Sequence, residues 1–224
     1  MALSPPKVKW YNAESYIVGS TTIPANTQEQ TEWNVGVVDA GSFSLPDDPT
    51  IPDDPNKPPT TFLIWNNRYD AVSNQTGNVE AVSDMTNVTI TTLSLVRDEN
   101  GNIDPNLSYQ PSGVVADLRP SVNEATVQVI FFDSSRKSGA GEWGTYDDEG
   151  NWKPNTWKDI GGNTRAVVVS MSGAKGIIKG SPNNASLAAN KANFAKVKMR
   201  LYVKPHATAG KVEWITRVSY QYEG

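Results

Sequence analysis

Four carboxylates and four aromatic rings crowd one stretch of this chain, Glu142-Trp-Gly-Thr-Tyr-Asp-Asp-Glu-Gly-Asn-Trp-Lys-Pro-Asn-Thr-Trp157. Sugar rings stack on flat aromatic faces while carboxylates and amides take up their hydroxyls. Trp143, Tyr146, Trp152, Trp157, Asp147 and Asp148 are therefore a candidate glycan-binding set. Two of Glu142, Asp147, Asp148 and Glu149 could also form the carboxylate pair of a glycoside hydrolase, which needs the groups about 5–10 Å apart across a cleft. The plain alternative is a Trp-rich loop packed on its own sheet.

Other chemistries fail on residue type or on context. His206 is the single histidine and cysteine is absent, so catalytic zinc cannot be built in the usual way. No G-x-S-x-G elbow supplies a nucleophile for that histidine to activate. Gly139-Ala-Gly141-Glu-Trp-Gly144 matches G-x-G-x-x-G, but an acidic turn follows it where a dinucleotide site needs a helix. Asp98, Asn100, Asn102 and Asp104 place oxygens at alternate positions. Gly101 stands fourth where a calcium loop needs glycine sixth, and Tyr109 stands where it needs a closing Glu, so a turn is the better reading. The chain reads as a non-enzymatic protein without catalytic residues, cofactor or metal.

A formal charge of -4 with scattered Lys and Arg gives no footprint for a phosphate backbone, so nucleic acid is not an expected partner. Lys196, Lys198, Arg200 and Lys204 fall at strand spacing and are expected to form one solvated face of a sheet. No window approaches the roughly 18 consecutive apolar residues of a membrane span, and Met1–Lys9 lacks the pattern of a secretion signal. The absence of cysteine fits synthesis in a reducing cytoplasm. Asn-x-Ser/Thr triplets at Asn74, Asn87, Asn106 and Asn184 are read as coincidence in an Asn-rich chain.

The elements that would position these residues are mostly strands. Val197, Met199, Leu201 and Val203 alternate with polar partners, and Val212, Trp214, Val218, Tyr220 and Tyr222 share one parity after a Pro205–Gly210 loop, which predicts a C-terminal hairpin. Further strands are expected at Val8–Tyr11, Tyr16–Thr22, Trp33–Val38, Phe62–Trp65, Asn87–Val96, Ala125–Phe132 and Arg165–Met171. One short connector helix is expected after Ser181 as cap and Pro182 at the first position, running through Ala192. The predicted fold is all-β and mainly antiparallel, a β-sandwich or jelly-roll-like arrangement. Residues 1–45 supply N-terminal strands and residues 61–224 the main sandwich, as one continuous domain.

Between them, residues 46–60 carry two Pro-Asp-Asp-Pro repeats, Pro46 to Pro49 and Pro52 to Pro55, followed by Pro58 and Pro59. Proline removes amide donors and biases its predecessor toward extended backbone. A polyproline-like rod of this length reaches on the order of 40 Å, at ~3.1 Å per residue. Pro46, Pro49, Pro52, Pro55, Pro58 and Pro59 thus mark an extended arm, a candidate assembly element, with a long surface loop or a domain boundary as alternatives.

Lys7-Val-Lys-Trp-Tyr-Asn12, Trp65-Asn-Asn-Arg68, Val82-Ser-Asp-Met-Thr-Asn-Val-Thr-Ile-Thr91 and Trp214-Ile-Thr-Arg-Val-Ser-Tyr220 resemble segments of the structural proteins of tailed-bacteriophage virions. The resemblance spans both ends of the chain and carries over no catalytic or binding residue. It implies a β-sandwich subunit of a tail, baseplate or capsid surface, made in the host cytoplasm and located in the virion. Its partners would be copies of itself and other virion proteins, with a host-surface glycan in the alternative reading as a receptor-binding protein or carbohydrate-binding module.

Overall fold

The alternation between Val197 and Val203 builds the centre of the larger of two sheets. The computed structural model describes residues 3–12, 29, 32–54, 56–69, 81–95, 97–106, 108–109, 125–207, 211 and 213–224. Its strands are β1 (Val8–Asn12), β2 (Thr61–Asn66), β3 (Thr86–Ser94), β4 (Ala125–Asp133), β5 (Glu142–Tyr146), β6 (Trp152–Pro154), β7 (Lys158–Asp159), β8 (Ala166–Val167), β9 (Phe194–Val203) and β10 (Trp214–Gln221). They make a seven-stranded sheet in the order β1-β2-β9-β4-β5-β6, with β7 also paired to β4, and a three-stranded sheet β10-β3-β8. All of these pairings are antiparallel. The fold is an all-β sandwich.

One core lies between the sheets. Phe62, Ile64, Val127, Val129, Phe131, Val197, Met199 and Leu201 come from the larger sheet, and meet Val88, Ile90 and Ala166 from the smaller. Burying each large apolar side chain contributes about 1.5–3 kcal/mol, which fixes which parity faces inward. The opposite parity of the larger sheet faces outward but is also covered. At one end Tyr11, Leu63, Trp65 and Phe194 form a second cluster with Met171 and Leu187, where the Trp65 and Phe194 rings stack at 4.2 Å. Residues 8–12 pair with β2 and so belong to the main sheet.

The expected C-terminal hairpin does not form. β9 pairs with β2 and β4, whereas β10 pairs with β3 in the other sheet. The inward parity was read correctly for β9 and for Trp214 and Val218 of β10, whereas Tyr220 and Tyr222, read on the same face, are exposed beyond a register shift at Ser219–Gln221. Placing the two strands in opposite sheets turns both apolar faces toward one core, with Trp214 and Val218 packed against it from the smaller sheet.

Three other expectations are corrected. Trp33–Val38 is not a strand: Asn34 Oδ1 accepts the Gly36 amide and Gly36 takes φ +78°, which breaks the extended run, while Trp33 packs edge-on against Phe62 and Trp214. Arg165–Met171 is strand only at Ala166–Val167, because a turn closed by Gly173 N donating to Ser170 O interrupts it. The connector is no α-helix. Its regular part is a 3-10 helix at Ala189–Asn193, and the Ser181–Pro182 peptide is cis. Asn190 Nδ2 donates to the carbonyls of Asn184 and Ser186, and such side-chain bonds to backbone compete with helical ones. The strand expected at Tyr16–Thr22, Pro55, Val96, Val212 and the Asn74 triplet lie outside the described residues.

Candidate functional site

The basic residues of β9 are where the structure departs furthest from a solvated sheet face. Lys198 and Arg200 are only 5% and 4% exposed. Their cover is the Pro-rich segment, which folds back as a strap across the outer face of the larger sheet. It enters beside β9 where β2 has ended: Gly41 N donates to Val203 O, Val203 N to Ser42 O and Ser44 N to Leu201 O. The Phe43 and Tyr202 rings then stack at 4.4 Å. The extended rod expected from composition is absent, and Pro49 is buried.

Each Pro-Asp-Asp-Pro repeat divides the same labour between its two carboxylates. The first Asp reaches the sheet. Asp47 Oδ1 accepts from Arg200 Nη1 at 2.7 Å, and Asp53 lies 3.6 Å from Lys198 Nζ while taking four hydrogen bonds from the amides and hydroxyls of Thr60 and Thr61. The second Asp turns the chain. Asp48 Oδ1 accepts the Thr50 amide and Asp54 Oδ1 the Asn56 amide, side-chain turns that suit a segment poor in amide donors. Carbonyls complete the cover, with Pro49 O and Ile51 O accepting from Lys198 Nζ and Pro46 O from Arg200 Nη1.

A buried cation is costly unless paired and hydrogen-bonded, and both are. The Arg200 guanidinium also lies between two rings, 4.0 Å from Phe43 and 4.3 Å from Trp157, while Arg200 Nε donates to Gln128. Burial pushes the Lys198 ammonium below its usual range, with Asp53 acting against the shift. Lys196 is pushed down to about 8, first by burial and then by repulsion from Lys198. Burial would raise the Asp53 carboxyl, but the Thr60 and Thr61 bonds outweigh it and hold the group below the usual value.

The aromatic and acidic stretch forms the β5–β6 hairpin beside the strap. Asp147 builds its turn by accepting the Asn151 amide, which with Lys153 holds its carboxyl down to about 2. Glu142 accepts Trp152 Nε1 at 2.8 Å and pairs with Lys137, and Asp148 pairs with Lys158. Glu149 is exposed in the turn. Asp147 is therefore engaged in holding the turn between the two strands.

The rings of this hairpin are turned toward the chain's own cations. Trp143 is buried, edge-on to Phe132 at 5.3 Å and facing Lys196 and Lys198; Tyr146 faces Lys175 at 4.7 Å; Trp152 lies under Arg136 at 4.2 Å. Gly144 backs Trp152 so closely that a Cβ there would come within 2.5 Å of the indole. Trp157 donates its indole N–H to Asp47 O and so ties the hairpin to the strap. These contacts match a hairpin packed on its own sheet.

The remaining sequence candidates fall elsewhere. Asp98 accepts the Asn100 and Asn102 amides, as a turn requires. Gly139 ends a 3-10 turn and Gly141–Gly144 runs into β5, so no helix follows the glycines. His206 is exposed in the loop after β9. Among the described residues no cluster of three His, Asp or Glu side chains could hold a metal ion, and no helix is long and apolar enough to cross a membrane. Sequence reasoning missed the pairing of the strap with Lys198 and Arg200. The available signal was charge complementarity, two Asp-Asp pairs six residues apart and two cations one strand-repeat apart. Comparison with known proteins finds no matching family model, no similar curated protein and no similar solved structure.

Proposed function

We propose that this chain is a non-enzymatic structural subunit of a tailed-bacteriophage virion that assembles through contacts with copies of itself and with other virion proteins. One observation carries the reading beyond the sequence resemblance. The strap that covers Lys198 and Arg200 on the outer face of the larger sheet leaves Phe43, Ile51, Pro52 and Pro58 exposed on an anchored segment, the ridge. A ridge anchored from beneath keeps its shape when it meets a neighbour, and repeated copies on a lattice make modest single contacts sufficient.

The test separates the ridge from its anchors. Ile51→Asp with Pro58→Asp changes two exposed side chains and leaves the Ile51 carbonyl that holds Lys198 in place. The purified double variant is expected to unfold at the wild-type temperature. Its incorporation into particles of the encoding phage should fall by about tenfold or more, the effect of ~1.4 kcal/mol lost per contact. Absence of the wild-type chain from purified virions would overturn the virion reading, and normal incorporation of the variant would remove the ridge from it.

A further inference from the structure

β10 is the longest bare strand edge among the described residues. It has eight residues and pairs only with β3, at one side of the smaller sheet. The other sheet edges offer little: β6 has three residues and ends on Pro154, β8 has two, and β1 meets Glu29 through Tyr11. Native sheets guard a long edge with lysine, proline, a bulge or an inward charge. β10, Trp-Ile-Thr-Arg-Val-Ser-Tyr-Gln, carries none of these. The register shift near Ser219 places its extra residue in β3, where Asn87 takes φ 50°, so β10 itself stays regular.

The direction of the free backbone groups follows from the bonds of β3. Thr92 N donates to Ile160 O and Val168 N to Val88 O, so Thr92 and Val88 turn their backbone groups away from β10. Thr91 and Thr89, which lie between them, face Arg217 and Ser219, their register partners, because backbone direction alternates along a strand. Thr216, Val218 and Tyr220 therefore point their N–H and C=O groups outward. Gln221 O and Glu223 O accept from the hydroxyls of Thr86 and Ser83, which leaves Tyr222 outward as well. The Trp214 end is flanked by Trp33, whose ring lies 5.6 Å away, whereas Tyr220 and Tyr222 are 36% and 46% exposed.

We infer that this edge pairs antiparallel with the same edge of a second copy of the chain, about a two-fold axis at Tyr220, so that two three-stranded sheets continue as one. Water can satisfy an exposed edge, so bareness alone selects no partner; the charges do. Outward residues must face outward residues, which puts the axis on a residue and leaves few registers. An axis on Arg217 sets Arg217 against itself, and one on Val218 sets Glu213 against Glu223. An axis on Thr216 or Ser219 opposes no unlike charges, and one on Ile215 calls on Glu213, which already pairs with Arg97 at 2.9 Å. With Tyr220 on the axis, Arg217 faces the partner's Glu223 on both sides, and neither has an ion pair of its own among the described residues. Val218 then faces the partner's Tyr222 and the two Tyr220 rings meet, which gives both exposed tyrosines cross-strand neighbours. The contact lies apart from the strap and holds whether or not the chain is a virion subunit.

Sedimentation equilibrium of the full chain is expected to show a dimer with a Kd on the order of 10 µM. Arg217→Glu and Glu223→Arg, both at exposed positions, should each weaken it about tenfold, because one substitution turns two attractive pairs into two repulsive ones. The double exchange should restore wild-type association. Tyr220→Pro removes an outward amide and spares the ladder to β3, so it should give a monomer with the wild-type circular dichroism spectrum. If Tyr220→Pro does not fold, the charge exchange alone decides. A wild-type chain that stays monomeric up to about 1 mM would overturn the inference and leave the edge to a different protein or to water. A dimer that the single charge variants leave intact, or that the double exchange does not restore, would overturn the register at Tyr220.

Discussion

Asp53→Ala is expected to lower the unfolding free energy by about 3–5 kcal/mol, the range for removing one partner of a buried, hydrogen-bonded charge pair. The carboxylate gathers four hydrogen bonds from Thr60 and Thr61 and is the carboxylate partner of Lys198, which the variant would leave buried with backbone carbonyls alone. Its bonds also join the end of the strap to the first residue of β2, so the loss should spread along the strap. Urea unfolding gives the magnitude. Amide exchange should show lost protection at Thr60, Thr61 and Ser44 and unchanged protection in β3. Asp53→Asn keeps one acceptor oxygen and should fall between the two.

The pH dependence checks the cause. The folded carboxyl of Asp53 is held below its ordinary value of 3.8, so its stabilisation is fully present above that pH and is lost as pH falls through the folded value. Wild type and Asp53→Ala should therefore differ most at neutral pH and converge in strong acid. A difference under about 1 kcal/mol at neutral pH would mean that the strap is not anchored there.

Local pattern made β1, β2, β4 and β9 of the larger sheet legible, whereas the stretch read as a Trp-rich loop holds β5 and β6, and β7 was not expected either. Period-two alternation marked β9 and the inward positions Trp214 and Val218 of β10, because one face of each had to be apolar, and β-branched and aromatic content marked β4. The choice of partner was not legible, since alternation is equally satisfied by a hairpin and by two strands facing each other across a core. Lys198 and Arg200 were misread for a related reason. Polar residues on the second face of a strand ordinarily mean water, and the pairing that buries them joins Arg200 to Asp47 across 153 positions. The two Pro-Asp-Asp-Pro repeats were visible as a feature, but proline content predicts stiffness and says nothing of where a segment lies. The Trp-rich stretch shows the same limit: carboxylates beside aromatics describe a sugar site and a self-packed hairpin equally well until Arg136, Lys175 and Arg200 are placed on the rings. The Asn-rich loop after Ser181 was readable only as helix, because its deciding bonds run from a side chain to carbonyls four and six residues earlier.

Lys196→Met is expected to stabilise the protein by about 1–3 kcal/mol at pH 7, the discounted worth of moving a part-buried ammonium from 10.5 to about 8. Lys196 lies among the Phe132 and Trp143 rings at 5.4 and 5.6 Å, an environment that a thioether fills well. The sign follows from proton counting. Between pH 8 and 10.5 the unfolded chain holds a proton on Lys196 that the folded chain has released, so wild-type stability should rise with pH across that window. The depressed Lys198 adds in the same sense. Tyr11, whose hydroxyl burial pushes above 10, opposes it only at the upper end, where the unfolded chain ionises first. Denaturant unfolding at pH 7, 8, 9 and 10 should give a rising series for wild type and a flatter one for Lys196→Met, with the two meeting near pH 10. If the variant were instead less stable than wild type at pH 7, attraction of the ammonium to the two rings would outweigh its desolvation. The basic row of β9 would then be a source of stability at all three of its inner positions, and not a cost that Asp47 and Asp53 are placed to offset.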